Sequence, residues 1–240
     1  MAHLCRVYLL DIRQITPSRY KLLCCCAKKS VRERAERYKF REDRVRCLAG
    51  DYLVTELFVR QTGIPREKIE KGFSDYGKPY IRNDPGFHFN LSHSGDYVAC
   101  AVSDHPVGID IQQIVAMKRS YGERIFSPRE LAEACLEENQ DLSEQMIEKW
   151  AYKESFAKLK GMGILLPFDE ITIAPGGVIR SDGECETCFF QRKRVNRRYC
   201  LVTASGDPVQ ISYFEAAVAE TLSGSGREPV LQTDFKPVSF

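Results

Sequence analysis

Alternation of apolar and polar positions is clearest near the middle of the chain. There HFNLSH and YVACAVS flank the turn residues Ser94, Gly95 and Asp96 and predict a β-hairpin. Asp104, His105 and Pro106 break the pattern, marking the best boundary between two halves. VGIDIQ, from Val107 to Gln112, resumes it, and a strand period sets Val107, Ile109 and Ile111 on one face with Asp110 and Gln112 on the other. Upstream, Arg6 to Asp11 reads as a first strand, about Ser30 to Val59 as basic helix, and Gly72 to Gly86 as a loop rich in Gly and Pro. Downstream, two helices precede the strand and turn segments FDEITIAP, VIRS, ETCFFQRKRV, RYCLVTAS and VQISYFE. From about Leu222 the chain carries SGSG and scattered prolines, and a frayed tail is expected.

The second of the two helices holds the more informative pattern, WAYKESFAK at Trp150 to Lys158. At about 3.6 residues per turn, Ile147, Trp150, Ala151 and Ala157 form one apolar stripe, with Glu154 at its centre and Lys158 one turn onward. Lys149, Lys153 and Lys160 lie to one side as a basic border. Taken alone, VGIDIQ also fits an edge strand with a solvated polar face, and Glu154 with Lys158 also fits a surface pair one turn apart. Two carboxylates in apolar frames are costly unless a cation compensates them, which implies a shared purpose. A hard divalent ion such as Mg²⁺ suits two acids and one amide, and phosphate then becomes the expected substrate group.

GFSDYGKP, Gly72 to Pro79, follows the Walker A spacing until Pro79 replaces the metal-binding hydroxyl, and no hydrophobic strand precedes it. A nucleotide-triphosphatase is excluded, although Lys78 sits on a tight turn where it can touch an anion. Ser92 and His93 offer a hydroxyl and an imidazole, with backbone N–H groups at Ser94 and Gly95. Adjacent strand residues point to opposite faces and no GxSxG elbow occurs, which argues against Ser/His nucleophilic chemistry.

Composition changes this picture little. With 240 residues, 35 basic and 33 acidic, the chain suits one large domain or two small ones at net +2. The charges are uneven: Lys28 to Arg46 carries nine basic and four acidic residues, and Arg129 to Glu148 seven acidic and one basic. The opening MAHLCRVYLLDIRQ is interrupted by Arg6 and Asp11 and is too short for a secretory signal or a membrane span, so a cytoplasmic protein is expected. The ten cysteines, Cys24 to Cys26 among them, then read as reduced thiols, and Cys185 and Cys188 form a CxxC without the second pair that zinc needs.

FNLSHSG, VGIDIQ and WAYKESFAKLKG, in this order and at these gaps, resemble the signature of the phosphopantetheinyl transferases of the larger, surfactin-synthetase-activating type. YGKPYI and RVRCLAGDYLV also fit, and the resemblance extends over roughly residues 1 to 220. It implies an α+β monomer of two similar α/β halves with pseudo-twofold symmetry, each a small antiparallel-rich sheet packed with helices. The halves would span 1–104 and 105–221, before a flexible tail at 222–240. Coenzyme A and Mg²⁺ would lie between them. The implied reaction moves the phosphopantetheine arm of coenzyme A to a serine of apo acyl, peptidyl or polyketide carrier proteins and releases adenosine 3′,5′-bisphosphate.

The resemblance also carries residue roles. Asp110 and Glu154 match metal-binding acids, and Gln112 stands where the family often has a third. Ser92, His93 and Ser94 match the phosphate-holding loop, Tyr76, Gly77, Lys78 and Pro79 the loop against the nucleotide, and Lys158 the lysine near the pyrophosphate. Arg34, Arg46 and Cys47 fall where the 3′-phosphate is contacted. Glu130, in IFSPRE, matches the general base, yet Ser127, Pro128 and Glu130 equally form a capping box at a helix start. Two other classes stay open. RKRVNRR at Arg192 to Arg198, five-sevenths basic, allows a nucleic-acid binder, although a hairpin with a solvated basic end is its commoner meaning and no nucleic acid is expected. The other class is a carrier-docking protein without catalysis.

Overall fold

A computed structural model describes residues 3–84, 86–117, 122–134, 142–180, 182–222 and 229–238. Pro85, the SGSG run at 223–226 and part of the acidic stretch, 135–141, lie outside the described residues. In chain order the elements are β1 (His3–Asp11), α1 (Pro17–Cys26), α2 (Lys29–Glu36), α3 (Arg41–Thr62), β2 (Lys71–Phe73), β3 (Pro79–Ile81), β4 (His88–Ser94), β5 (Tyr97–Ser103) and β6 (Val107–Gln113). There follow α4 (Gly122–Ile125), α5 (Pro128–Ala134), α6 (Leu142–Lys160), β7 (Ile171–Ala174), β8 (Gly177–Arg180), β9 (Cys185–Thr187), β10 (Phe189–Val195), β11 (Tyr199–Ser205), β12 (Val209–Leu222) and β13 (Pro229–Pro237).

Two sheets packed face to face explain the α+β architecture. One has strand order β13-β12-β1-β5-β4, with β1 and β12 parallel and the other pairs antiparallel; the other has order β10-β11-β6. Alternation along β1 sends Tyr8 and Leu10 towards the helices α1 to α3, and Val7 and Leu9 towards Val107, Ile109, Ile111 and Leu201 of the second sheet. The five-stranded sheet is thus covered on both faces, which is why β5 is buried throughout and mostly apolar. Helix α6 lies on the outer face of β6 and β11, burying Ile147 and Ala151 against Cys200 and Val202.

Several expectations are corrected. The basic segment forms two helices, α2 and α3, broken at residues 37–40 without Gly or Pro; Arg44 donates to the Tyr38 carbonyl across the break (2.8 Å). Helix α1 was not anticipated, although Thr16 caps it by accepting from Arg19 N–H and Pro17 opens it. The Gly- and Pro-rich loop contains the hairpin β2–β3. The expected frayed tail is partly a strand: β13 pairs with β12, Thr233 Oγ1 donates to the Tyr52 hydroxyl (3.0 Å), and Phe235 packs on Tyr8. Alternation of Leu231, Thr233 and Phe235 along its inner face drives that docking. Lys153, placed by the wheel on a basic border, is fully buried, because α6 packs against β7 and the turn at Phe168–Glu170 as well as against β6.

Candidate active site

Strand β6 has one edge paired with β11; the other is closed by side chains of β4. Asn90 Oδ1 accepts from Ile109 N–H (2.8 Å), Ser92 Oγ from Ile111 N–H (3.2 Å) and Ser94 Oγ from Gln113 N–H (3.0 Å). Every second residue of β4 therefore meets every second amide of β6, a ladder that joins the two sheets and satisfies an otherwise open edge. Sequence reasoning missed Asn90, although alternate polar residues in an apolar strand signalled it.

The same spacing builds the site. Asp110 is 1% exposed, and its Oδ1 accepts from Ser92 Oγ (2.7 Å) and from Lys158 Nζ (2.6 Å). Lys158 Nζ also donates to Ser92 Oγ (3.0 Å), and Gln112 Nε2 donates to Asp110 Oδ2 (2.9 Å). Asp110 and Gln112 thus share a face, Asp110 buried under α6 and Gln112 half-exposed at its end. Gly108 makes this possible: a Cβ there would sit 1.9 Å from the Ser155 carbonyl oxygen, so only glycine lets α6 lie on the strand backbone and carry Glu154 and Lys158 over Asp110.

Glu154 is half-buried and, among the described residues, has neither a hydrogen-bond nor an ion-pair partner. Burial raises its pKa; Lys158 opposes the rise and the Asp110 carboxylate adds to it. Two acids face one ammonium group, and the Gln112 amide oxygen stands without a partner among the described residues. This donor set, an excess of hard oxygen with one carboxylate uncompensated, fits a divalent cation such as Mg²⁺.

Other residues of the expected site surround this centre. His93 points away from Ser92 to the exposed side, as adjacent strand residues must. Although it reaches solvent, crowding by neighbouring protein and then the charges of Arg46 and Lys158 hold its pKa below the ordinary value. Arg46 donates to the Gly95 carbonyl (2.6 Å) and to Asp43 (2.5 Å), bracing the β4–β5 turn. Arg34 donates to Cys47 Sγ (3.4 Å) where α2 packs on α3. The Tyr76–Pro79 turn, with Gly77 at φ +83°, presents Lys78, whose Nζ donates to the Val107 and Leu159 carbonyls (3.3 Å each) at the end of the β6–α6 seam. Burial pushes Lys78 down to about 8. A cleft of about 490 Å³ opens there, lined by Tyr76, Lys78, Pro79, His88, Phe89 and Lys160.

Glu130 stands elsewhere. It completes the capping box: Ser127 N–H donates to its Oε2 (3.0 Å) and Ser127 Oγ accepts from its N–H (3.3 Å). Its Oε1 accepts from Ile173 N–H (3.0 Å), and Lys153 Nζ lies 2.6 Å from Oε2 while donating to the carbonyls of Ile125, Phe168 and Ile171. Burial opposes ionisation of Glu130, but Lys153 and these N–H groups outweigh it and hold the pKa below the usual range. A larger cavity, about 680 Å³, borders Glu130, Lys149 and Phe190; Asp110, Glu154 and Lys158 are not among its lining residues. Two members of the basic run are paired with acids of α6, Arg192 with Glu148 and Arg194 with Glu144 and Glu148. The nine cysteines among the described residues are all free.

One buried and one half-buried carboxylate thus lie close to Lys158, with His93 and Arg46 on the same side of β4. Residues 14–105 match the family model described as 4'-phosphopantetheinyl transferase, N-terminal, and residues 106–204 match that of the 4'-phosphopantetheinyl transferase superfamily. The chain is 32% identical over 185 residues to a 4'-phosphopantetheinyl transferase of Bacillus subtilis, covering 74% of this chain and 81% of that protein. It is 30% identical to the Sfp transferase of Bacillus subtilis strain 168 over the same shares. Against the L-aminoadipate-semialdehyde dehydrogenase-phosphopantetheinyl transferase of Mus musculus it is 30% identical over 229 residues, 87% of this chain and 72% of that one. The chain belongs to the 4'-phosphopantetheinyl transferases, of the Sfp type. It is a transferase that moves 4'-phosphopantetheine from coenzyme A to carrier proteins.

Proposed function

We propose that transfer takes place at the Asp110–Glu154 pair, with coenzyme A as donor, a serine hydroxyl of an apo acyl, peptidyl or polyketide carrier as acceptor and adenosine 3′,5′-bisphosphate as leaving group. The observation that carries this is the half-buried Glu154, unpartnered among the described residues, beside Asp110 and Lys158. Asp110 and Glu154, with the Gln112 amide oxygen, would hold Mg²⁺, which when bound offsets negative charge on the phosphoryl oxygens. Lys158 adds a second positive charge at that point and costs no reorganisation, since Ser92 and Asp110 already fix its ammonium group. His93 and Arg46 bind the nucleotide phosphates, Arg34 and Cys47 support that end, and the Tyr76–Pro79 turn with the Ser94 amide packs against the nucleotide.

Glu154 is also the proton acceptor in this reading. The oxygen of Glu154 left free by the cation would take the serine proton, whereas Glu130 is engaged by Lys153 and two backbone N–H groups and keeps a structural post. We further infer a monomer of pseudo-symmetric halves, supported by the parallel roles of α3 on β4 and β5 and of α6 on β6 and β11. A cytoplasmic setting agrees with the free thiols, and no helix among the described residues is long and apolar enough to cross a membrane. Service to nonribosomal peptide or polyketide pathways follows from the Sfp type. Incubation with coenzyme A, Mg²⁺ and a panel of apo carriers, followed by intact-mass measurement, is expected to add one phosphopantetheine per carrier, and chelation of the metal to stop it. No added mass on any carrier contradicts the reading.

A further inference from the structure

Three of the four histidines in the chain, His3, His88 and His105, collect at one end of the five-stranded sheet, away from the acid pair. His3 and His105 are in ring contact, centroids 3.6 Å apart and tilted by 45°. Asp104 lies between their nitrogens, with His3 Nδ1 3.7 Å from its Oδ2 and His105 Nδ1 3.3 Å from its Oδ1. One donor atom from each of the three residues falls within 4.8 Å of the other two. Donors bound tetrahedrally to Zn²⁺ at about 2.0–2.2 Å stand roughly 3.3–3.6 Å apart, so the trio is close to a chelating arrangement.

Two further observations point to a ligand. His105 Nδ1 is shut from water, and beside the Asp104 carboxylate 3.3 Å away it makes no well-formed hydrogen bond, so its lone pair is poorly satisfied without a ligand. The loop is also held in place by other bonds: Leu4 N–H donates to Asp104 Oδ1 (3.2 Å), Ser103 Oγ donates to the Leu4 carbonyl (3.0 Å), and His105 N–H donates to Ser103 Oγ (3.3 Å). The backbone thus presents the three side chains without needing their mutual contacts.

We propose that His3, Asp104 and His105 form a second metal site, for an imidazole-preferring divalent ion such as Zn²⁺, separate from the Asp110–Glu154 pair. Two imidazoles and one carboxylate select zinc-like ions over Mg²⁺, which prefers all-oxygen shells. The bound ion ties the start of β1 to the Asp104–Pro106 segment that leads into β6, where the two matched family segments meet. Its role is to fix that junction, so its failure leaves the transferase reading untouched.

The test uses tag-free full-length protein in saturating Mg²⁺, titrated with Zn²⁺ against a chromogenic chelator. Wild type is expected to hold one equivalent more than His3→Gln/His105→Gln; the cysteines are common to both, so the difference isolates the histidines. Zn²⁺ is expected to raise the melting temperature of wild type and not of that variant, while Asp110→Asn/Glu154→Gln retains the extra equivalent. Equal zinc stoichiometry in wild type and the histidine variant overturns the proposal. Should the double variant fail to fold, Asp104→Asn is expected to weaken Zn²⁺ binding by at least about tenfold, the lower end for a disturbed ligand shell; unchanged affinity in that variant overturns it equally.

Discussion

Glu154 is raised in pKa by burial, lowered by Lys158 and raised again by Asp110, with a net upward shift. The folded, metal-free protein therefore binds this proton more tightly than the unfolded chain. Its contribution to stability is fully present below the ordinary carboxylate pKa and is lost as pH rises through the elevated value. Mg²⁺ bound at the proposed site would have to displace that proton, so the melting-temperature gain on adding Mg²⁺ is expected to grow from mildly acidic to neutral pH. A gain independent of pH, measured by thermal melts with and without metal, argues that Glu154 does not face the cation. Gln112→Glu supplies a third carboxylate beside Asp110 and is expected to tighten Mg²⁺ binding by at least about tenfold, about 1.4 kcal/mol, by calorimetry. At this scale the strand period alone placed Asp110 with Gln112, and the helix wheel placed Glu154 with Lys158. The hydroxyl of Ser92 on Asp110 was not legible, because it joins residues 18 apart on different strands.

Elements are set against one another by a few close approaches. Gly108 admits α6 to the β6 backbone, and a methyl group there meets the Ser155 carbonyl and the Leu159 amide nitrogen, neither of which is a flexible side chain. Gly108→Ala is expected to cost about 3 kcal/mol or more in denaturant unfolding and to slow transfer in the molecules that remain folded, since Glu154 and Lys158 ride on α6. Near wild-type stability there would mean that α6 shifts without penalty. The capping box at Ser127 and Glu130 was readable from four letters. Its buried partner Lys153 was not, because a helix wheel assumes one buried face and α6 has two.

Topology across the whole molecule was the least legible. Strand β12 runs parallel to β1 with His3 opposite Val209, a pairing between residues about 200 apart that no local pattern encodes. β13 then closes the edge, and the SGSG run that reads as a frayed end precedes it. Deleting residues 229–240 uncovers Tyr8 and Phe214 and leaves Tyr52 without Thr233. That truncation is expected to cost at least about 2 kcal/mol and to lower the melting temperature by about 4 °C or more. An unchanged melting temperature would make β13 a passive appendage.

The central claim is that the acid pair on β6 and α6, and not the buried Glu130, performs the transfer. The most direct measurement is the single-turnover rate of phosphopantetheine addition to one apo carrier by wild type, Glu154→Gln and Glu130→Gln, each normalised to folded protein. Glu154→Gln is expected to lose about 100-fold or more, and Glu130→Gln to melt earlier yet transfer at close to the wild-type rate. A Glu154→Gln enzyme near wild-type speed beside a folded but inactive Glu130→Gln would contradict the account.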